Sequence, residues 1–371
     1  MNAVPRIGGM TRLEWLGVAG VVVVLLLAPL IFTNFFISAL ATQALWLGLV
    51  AMSLIFLSSY GGMVSLAQVG IFGIAGVTMA NLVEADGGVA IAIDPWLATL
   101  LGILVAVIVA LIFGAIAARS EGMYFLMITL AFGVMVFFFV SQVTQVSGHG
   151  GVNNVDLPGI VGDRVSDPAP LYYISLAVAA AAFLGVRYLG RTPFGLTLQG
   201  IRDDPTRMRA LGYNVELHRM LAFAAAGLIA ALGGILFVWY NHSIGPGSVE
   251  LTAVIDVLVV AVIGGLYRLQ GAWVGALAFV LLDNYSREWT PDVGSILGPD
   301  RFNTLIGLIF LAIVLISPGG LVGMWEQASD RIRAMRRGRP ARAGPDAEPA
   351  PATGEAVDRG SHAAADRPGM P

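Results

Sequence analysis

The 371-residue chain contains no cysteine and no lysine. The missing cysteine excludes disulfides, thiolate nucleophiles and cysteine metal sites. A Walker A loop uses a lysine to reach the nucleotide phosphates, so the missing lysine excludes a standard P-loop ATPase. It also excludes a lysine Schiff base. Any ATP-driven activity of this chain therefore needs a separate ATP-binding subunit.

Charge is also scarce, because 12% of the residues are charged and 57% are hydrophobic. A soluble domain carries about 25% charged residues, so this chain has too few charges to cover a water-exposed surface of its size. The remaining surface must face lipid. The 46 glycines suit closely packed transmembrane helices. The net charge of −3 offers no basic surface, and we expect no nucleic-acid partner.

Long apolar runs predict an all-α, polytopic transmembrane protein. A spanning helix needs roughly 20 mostly apolar residues to cross about 30 Å of hydrocarbon. Ten segments approach this length: 15–33, 37–58, 63–83, 95–117, 122–142, 171–189, 219–240, 251–267, 271–286 and 302–317. The Gly-rich segment 63–83 is either a complete span or a broken helix.

Arginine placement predicts the orientation in a cell inner membrane. With the N-terminus inside, ten arginines fall in cytoplasmic segments before the tail and three in outer loops. Cytoplasmic loops carry the positive excess, so we expect both termini inside. The composition separates a membrane domain, 1–326, from an Arg/Ala/Pro-rich cytoplasmic tail, 327–371, which we expect to be disordered. Six tail arginines between 331 and 342 either contact membrane lipid or act only as an orientation signal.

The Gly-rich stretch 61–76 is the first segment with candidate functional residues. Its glycines allow helices to approach closely or to break. Ser65 and Gln68 share one face if the stretch is helical. Non-helical backbone at membrane depth persists only where it is buried in protein or lines a cavity. Two interpretations stay open: Gly62, Ser65, Gln68 and Gly73 border a solute pathway, or they are ordinary packing residues.

The polar break from Arg191 to Arg219 is the second such segment. Residues 194–202 predict one short turn of helix. Asp204 is a favourable N-cap, Pro205 a favourable first helical residue, and Gly212 a left-handed terminator. The enclosed helix of about seven residues is too short to be stable alone. It either packs on the chain's own membrane helices or docks into another protein.

The side chains of this predicted helix divide into two groups. Met208 and Leu211 form a small apolar face, while Arg207 and Arg209 project elsewhere. In the docking interpretation the apolar pair anchors the contact, and the arginines are available to acidic groups on the partner.

Small residues and acids within the apolar runs also need an interpretation. An intramembrane acid is by default a functional hypothesis. Asp256 and Asp283 each lie near a predicted outer end, however, and we expect interfacial placement with access to water.

Small-residue ladders are more typical of helix packing than of ligand sites. They occur at Ala226, Ala230 and Gly234, and at Gly271 with Gly275.

Four blocks in a fixed order, over roughly residues 37–325, carry a family resemblance. One block is close to G-x-V-S-L-G-H-A-x-F-F-G-I-G-A-Y, with matches at Gly62, Val64, Ser65, Leu66, Phe72, Gly73 and Ile74. The next is close to F-G-R-A-L-x-A-I-R-E-x-E-x-A-A-x-x-x-G-I-N, with matches at Phe194, Gly195, Leu198, Ile201, Arg202, Gly212 and Asn214. The last two are Ile263–Leu266 with Gly271, and Ser317–Leu321. The chain resembles the M-type permease subunit of the high-affinity branched-chain amino acid ABC importers.

The resemblance implies a function and a set of partners. The chain would form half of a translocation pore with a second homologous permease, two ATP-binding cassette subunits and a periplasmic solute-binding protein. It would not be an enzyme and would hold no cofactor of its own. The resemblance also implies that the 191–214 loop couples to the ATPase through these residues: Phe194, Gly195, Arg202, Asp204, Pro205, Arg207, Met208, Leu211 and Gly212.

Departures from the family pattern leave the solute open. Ala67, Gln68 and Val77 stand where the family has Gly, His and Tyr, and Pro205 and Arg207 depart from the loop pattern. Related systems import urea, amides or other small solutes, so a permease for urea or amides is an alternative.

Two other classes of protein predict different residues. A secondary transporter driven by an ion gradient predicts ionisable residues deep in its spans. An integral membrane enzyme predicts His, Asp or Glu clustered at one membrane face. The histidines are scattered over loops and tail, at His149, His218, His242 and His362. We therefore expect no metal site.

Overall fold

The computed structural model describes residues 27, 29, 36–147, 150–162, 168–288, 320, 321 and 323. In these ranges a π-helix, Phe36–Thr42, leads into a series of α-helices, and no β-strand forms. The α-helices are α1 (Gln43–Gly61), α2 (Gln68–Leu82), α3 (Pro95–Ala117), α4 (Met123–Gln142), α5 (Ala169–Leu189), α6 (Pro193–Asp203), α7 (Pro205–Ala210), α8 (Val215–Asn241), α9 (Leu251–Gly264) and α10 (Gly271–Glu288). The predicted spans 15–33 and 302–317, apart from residues 27 and 29, lie outside the described residues, as does the tail 327–371.

Among the described residues, five helical stretches are long and apolar enough to cross a membrane, with mean hydropathies from 1.8 to 3.1. They are Leu40–Gly61, which includes α1, together with α3, α4, α5 and α8. The shorter apolar helices are α2, α9 and most of α10. The predicted polytopic helical fold is confirmed, while the orientation of the termini stays a prediction.

The helices α1 and α8 form the centre of the described bundle. In their most apolar stretches 78% and 72% of the residues are buried, against 28–33% in α3, α4 and α5. Leu49 and Ile55 of α1 are fully buried, whereas Leu100, Ile108 and Phe138 on the outer helices are exposed. Apolar side chains on the outside of a membrane bundle contact lipid. The outer helices therefore present the lipid-facing surface.

Close helix contacts occur at the predicted small-residue ladders. Ala226 and Ala230 of α8 are fully buried. A Cβ atom on Gly234 would overlap the carbonyl oxygen of Phe72 in α2. A Cβ atom on Gly275 in α10 would likewise overlap a carbonyl oxygen of α9. The packing interpretation of these ladders is confirmed.

The predicted span 63–83 is a broken helix. Gly62 ends α1 with a left-handed φ of +66°, and α2 begins only at Gln68. Side chains satisfy the intervening backbone: the Leu66 N–H donates to Thr129 Oγ1 at 3.2 Å, and the Ala67 N–H donates to Ser65 Oγ at 3.3 Å. Such partners make non-helical backbone tolerable inside a membrane protein.

The predicted span 251–267 ends early and turns back. The helix α9 ends at Gly264, because Gly265 adopts a φ of +116°. After a short turn α10 begins at Gly271. A Cβ atom added to Gly271 would lie 2.6 Å from the Gly264 carbonyl oxygen. The two helices therefore form a tight antiparallel hairpin, and only glycine fits this close approach.

Candidate functional site

The helix α6 fixes one end of the predicted coupling loop. The sequence predicted a single turn here, which was wrong, because the helix has 11 residues. The Gly195 N–H donates to Thr192 Oγ1 at 3.4 Å, and Pro193 occupies the first turn, so the helix starts with a complete N-cap. Leu198 and Ile201 are fully buried. Burial of this apolar face extends the helix beyond one turn.

Arg202 joins the coupling loop to the end of α1. One of its guanidinium nitrogens donates to the Ser59 carbonyl oxygen at 2.5 Å. A Cβ atom on Gly62 would lie 2.6 Å from Arg202 Cγ. The structure thus brings together two residues that the sequence placed in separate candidate segments.

Phe194 and Gly195 pack inward. The Phe194 ring stacks on the His218 ring of α8, with centroids 5.7 Å apart and an interplanar angle of 13°. A Cβ atom on Gly195 would overlap the carbonyl oxygen of Leu189. These two residues therefore hold α6 against the helices on either side and do not form an outer surface.

The helix α7 has the predicted caps and is one residue shorter than predicted. Asp204 Oδ1 accepts the Arg207 N–H at 2.9 Å. At the other end Gly212 has a φ of +88°, its N–H donates to the Arg209 carbonyl at 3.0 Å, and the Tyr213 N–H donates to the Met208 carbonyl at 3.1 Å. This is a Schellman motif. Local bonds therefore define α7, although none of its residues is buried.

The two predicted apolar anchors differ in environment. Met208 is half-buried. A Cβ atom added to Gly200 would lie 2.9 Å from the Met208 sulfur, so Met208 packs against α6. Leu211, the C-cap, is 65% exposed. Other apolar side chains of this loop region are also exposed: Leu196, Tyr213 and Leu217. These three side chains and Leu211 are together called the apolar loop surface below.

Glu121, in the turn between α3 and α4, ties α7 to the bundle. Its Oε1 atom lies 2.9 Å from a guanidinium nitrogen of Arg219, which is 93% buried, and 3.6 Å from one of Arg209. Arg209 therefore faces its own chain, whereas the exposed Arg207 forms no ion pair within the described residues. Sequence reasoning missed Glu121. The sequence did offer a signal for it, because Glu121 is a lone acid in a turn that is predicted to lie on the arginine-rich, cytoplasmic side.

The pathway candidates of the Gly-rich stretch are buried. Ser65 is fully buried and Gln68 is 1% exposed. Gln68 Nε2 donates to Ser65 Oγ at 3.4 Å, while Gln68 Oε1 is buried without a hydrogen-bond partner in the described part of the chain. A Cβ atom on Gly73 would overlap the Val249 side chain. In this conformation these residues pack between helices, and their place in a pathway stays a prediction.

A cavity of about 280 Å³ lies between α1, α2, α8, α9 and α10. Asp256 of α9 and Asp283 of α10 both line it, beside Trp46, Phe72 and Phe237. Sequence reasoning treated the two acids separately and missed the cavity. The available signal was the hairpin, since acids at the open ends of two antiparallel helices must lie on the same side.

Comparison with known proteins identifies the family. The family described as "Branched-chain amino acid transport system / permease component" matches residues 36–316, which is more than half of the chain. The chain belongs to this permease family. The resemblance carried by the four sequence blocks is thereby confirmed.

Relatives of this permease bear related names. The high-affinity branched-chain amino acid transport system permease protein LivM of Escherichia coli is 22% identical over 71% of this chain and 64% of its own length. The LivM of Salmonella typhimurium is 23% identical over the same shares. A probable LivM of Methanocaldococcus jannaschii is 24% identical over 60% of this chain and 68% of its own. The chain thus spans slightly less than two thirds of the first two relatives, and no solved structure matches it.

Cysteine substitutions in this permease test the pathway interpretation. Because Ser65 and Gln68 are buried, we expect Ser65→Cys and Gln68→Cys to resist a small water-soluble thiol reagent at rest. In the pathway interpretation we expect labelling only during transport, when a pathway opens. The chain contains no native cysteine, so mass spectrometry reads each site cleanly.

Ile160→Cys is the matched control, because Ile160 is 66% exposed and should label in every state. Absence of labelling at positions 65 and 68 in every state would mean that both residues are only packed.

Proposed function

We propose that this permease is the membrane-spanning subunit of an ABC importer that moves branched-chain amino acids or similar small solutes across the inner membrane. Membership of the family supports the class, and the names of the relatives support the solute. The observation that carries the coupling is α7: a capped helix with no buried residue and an exposed Leu211 at its end. The caps and the contacts of Met208 and Arg209 hold this short helix on its own chain, and they leave the Leu211 side chain available for an outside contact. Its proposed contact is a separate ATPase subunit.

The proposed transmission of motion follows the contacts of the loop. A push on α7 acts on Glu121 through Arg209 and on the buried Arg219 of α8 through Glu121. Displacement of α6 acts on the end of α1 through Arg202. Rigid helices that move together about such contacts are the usual basis of alternating access. The break after α1 is the natural place for bending, since it lacks the continuous hydrogen bonding of a helix.

The proposed assembly has four further components. A second homologous permease completes the pore, two ATP-binding cassette subunits supply the energy, and a periplasmic solute-binding protein delivers the solute. In the proposal this chain hydrolyses no ATP itself, because it lacks the lysine of a P-loop.

An ion-gradient-driven transporter is the second candidate. Asp256 and Asp283 line one cavity within apolar helices, as ion or proton sites do. The two candidates differ in their energy source, and transport assays separate them.

We expect uptake of radiolabelled leucine into proteoliposomes only when ATP, the ATPase subunits, the second permease and the solute-binding protein are present. The purified chain alone should hydrolyse no ATP. A proton ionophore should leave the ATP-driven rate unchanged. Uptake by the chain alone in response to an ion gradient, or ATP turnover by the chain free of other subunits, would contradict the proposal.

A further inference from the structure

A surface cavity lies where the turn between α3 and α4 meets α7. Its volume is about 570 Å³, within the roughly 300–1,000 Å³ range of small-molecule sites. Both α3 and α4 are long and apolar enough to span a membrane, so the short turn between them lies at a membrane surface. The cavity is therefore at the level of the lipid headgroups. Its lining residues are Arg119, Ser120, Glu121, Tyr124, Ile128 and Arg209.

The two arginines of this cavity are only weakly engaged by their own chain. Arg119 Nε lies 3.8 Å from a carboxylate oxygen of Glu216, and a guanidinium nitrogen of Arg209 lies 3.6 Å from Glu121 Oε1. Charge-assisted hydrogen bonds are shorter, at about 2.7–2.9 Å. Neither guanidinium group makes a hydrogen bond to any other described residue, and exposed ion pairs contribute little. Both groups thus keep their donors available for a ligand.

The presence of Glu121 does not make the cavity acidic. Its Oε1 atom lies 2.9 Å from a guanidinium nitrogen of the buried Arg219, which already compensates its charge. The three arginines of this cluster exceed its two glutamates by one positive charge. The N-terminus of α4 carries no side-chain cap, and its partial positive charge adds to the cluster. The electrostatics of the cavity therefore favour an anion.

The other side of the cavity belongs to the lipid-facing surface of α4. Tyr124 and Ile128 are four residues apart and share one face of the helix. Tyr124 is exposed, and tyrosine is enriched where a membrane protein meets the headgroups. Ile116 of α3 and Met127 of α4, one turn deeper in their helices, are also exposed. A ligand in the cavity thus meets cationic donors at one end and apolar surface at the other.

We propose that this cavity binds the phosphate of an anionic phospholipid, with Arg119 and Arg209 at the phosphate oxygens and the acyl chains along the apolar surface of α3 and α4. The paired N–H donors of a guanidinium group match the geometry of a phosphate. A soluble phosphate offers the same head chemistry, but only a lipid also covers the apolar surface beside it. The site goes beyond the proposed function, because it depends neither on the solute nor on the ATPase.

Lipid-specific quenching tests the assignment in the full-length chain, reconstituted into mixed vesicles of phosphatidylcholine and phosphatidylglycerol. A bimane fluorophore on Ile116→Cys reports on lipid one turn from Arg119, and the chain has no native cysteine. Either the phosphatidylglycerol or the phosphatidylcholine carries bromine on its acyl chains and quenches the fluorophore on contact. We expect phosphatidylglycerol to be enriched about fivefold over phosphatidylcholine at this position, since one basic residue near anionic lipid contributes about that factor.

Variants and a second label position provide the controls. Leu100→Cys, exposed near the opposite end of α3, should show no preference between the lipids. With the label on Ile116→Cys, both Arg119→Gln and Arg209→Gln should lower the enrichment below about twofold, whereas Arg119→Lys should keep most of it. Arg191→Gln should leave it unchanged, because Arg191 is exposed after α5 and does not line the cavity. Equal quenching by the two lipids at position 116, or full enrichment in both glutamine variants, would overturn the inference.

Two other occupants of the cavity give different results. If soluble glycerol phosphate removes the enrichment at matched ionic strength, the site takes free phosphate and the lipid assignment is overturned. If Arg119→Gln loses the ATPase in a pull-down while its lipid preference is unchanged, the cavity contacts the ATPase and the assignment is again overturned. Uptake by the assembled importer is a separate measurement, so failure of this inference leaves the proposed function standing.

Discussion

The Leu211→Asp variant should release the ATPase subunits and abolish uptake, while the permease stays folded in the membrane. Leu211 is 65% exposed, so the substitution removes little packing within the chain. At an interface, loss of a buried aliphatic side chain costs on the order of 2–5 kcal/mol, and an unpaired buried carboxylate adds to that cost. Each 1.4 kcal/mol corresponds to about tenfold in affinity, so docking should weaken by at least about thirtyfold.

The measurement is a pull-down of the ATPase by the tagged permease, together with its level in the membrane. Leu211→Met is the matched control, because it keeps an apolar side chain of similar volume and should retain both docking and uptake. Normal co-purification and normal uptake by Leu211→Asp would show that the apolar loop surface does not contact the ATPase.

The Gly234→Val variant should lose most of the folded protein. A Cβ atom at this position of α8 would overlap the carbonyl oxygen of Phe72, and backbone cannot move aside as a flexible side chain does. Overpacking in a well-packed core costs about 1–3 kcal/mol or more. Here the two helices α2 and α8 would have to separate. Thermal melting of the detergent-solubilised protein, followed by size-exclusion chromatography, measures the loss.

Gly185→Val is the matched control, because it also replaces a helical glycine by valine and so has the same effect on composition and helix propensity. Gly185 lies in the interior of α5, and a Cβ atom there would meet nothing within 4 Å. Valine is no worse than glycine in a helix, so this variant should melt within a few degrees of the unsubstituted protein. Equal melting of the two variants would contradict the close approach of α2 and α8.

Local sequence signals predicted much of the fold. Helix lengths followed from apolar runs, as at α3, whose predicted and observed bounds are both 95–117. Caps followed from single residues: Asp204 and Gly212 define α7 as expected. These signals depend on a few neighbouring residues, so a single sequence contains them.

Long-range contacts were beyond the sequence. Nothing in the chain order pairs Gly62 with Arg202, or Glu121 with Arg209 and Arg219, because side chains far apart in sequence meet only once the helices pack. The early end of α9 was missed for a related reason. An apolar run continues past Gly264, and the close approach of a second backbone decides where the helix stops.

The separation of such contacts in sequence also constrains the order in which the helices fold during synthesis. The Leu66 N–H in the break after α1 donates to Thr129, 63 residues later in the chain. At about 5–20 residues per second, a ribosome needs roughly 3–13 s to synthesise the intervening segment. During that time the break lacks this partner, and an unsatisfied N–H is costly in lipid. The first helices can therefore take their final form only after α4 has entered the membrane.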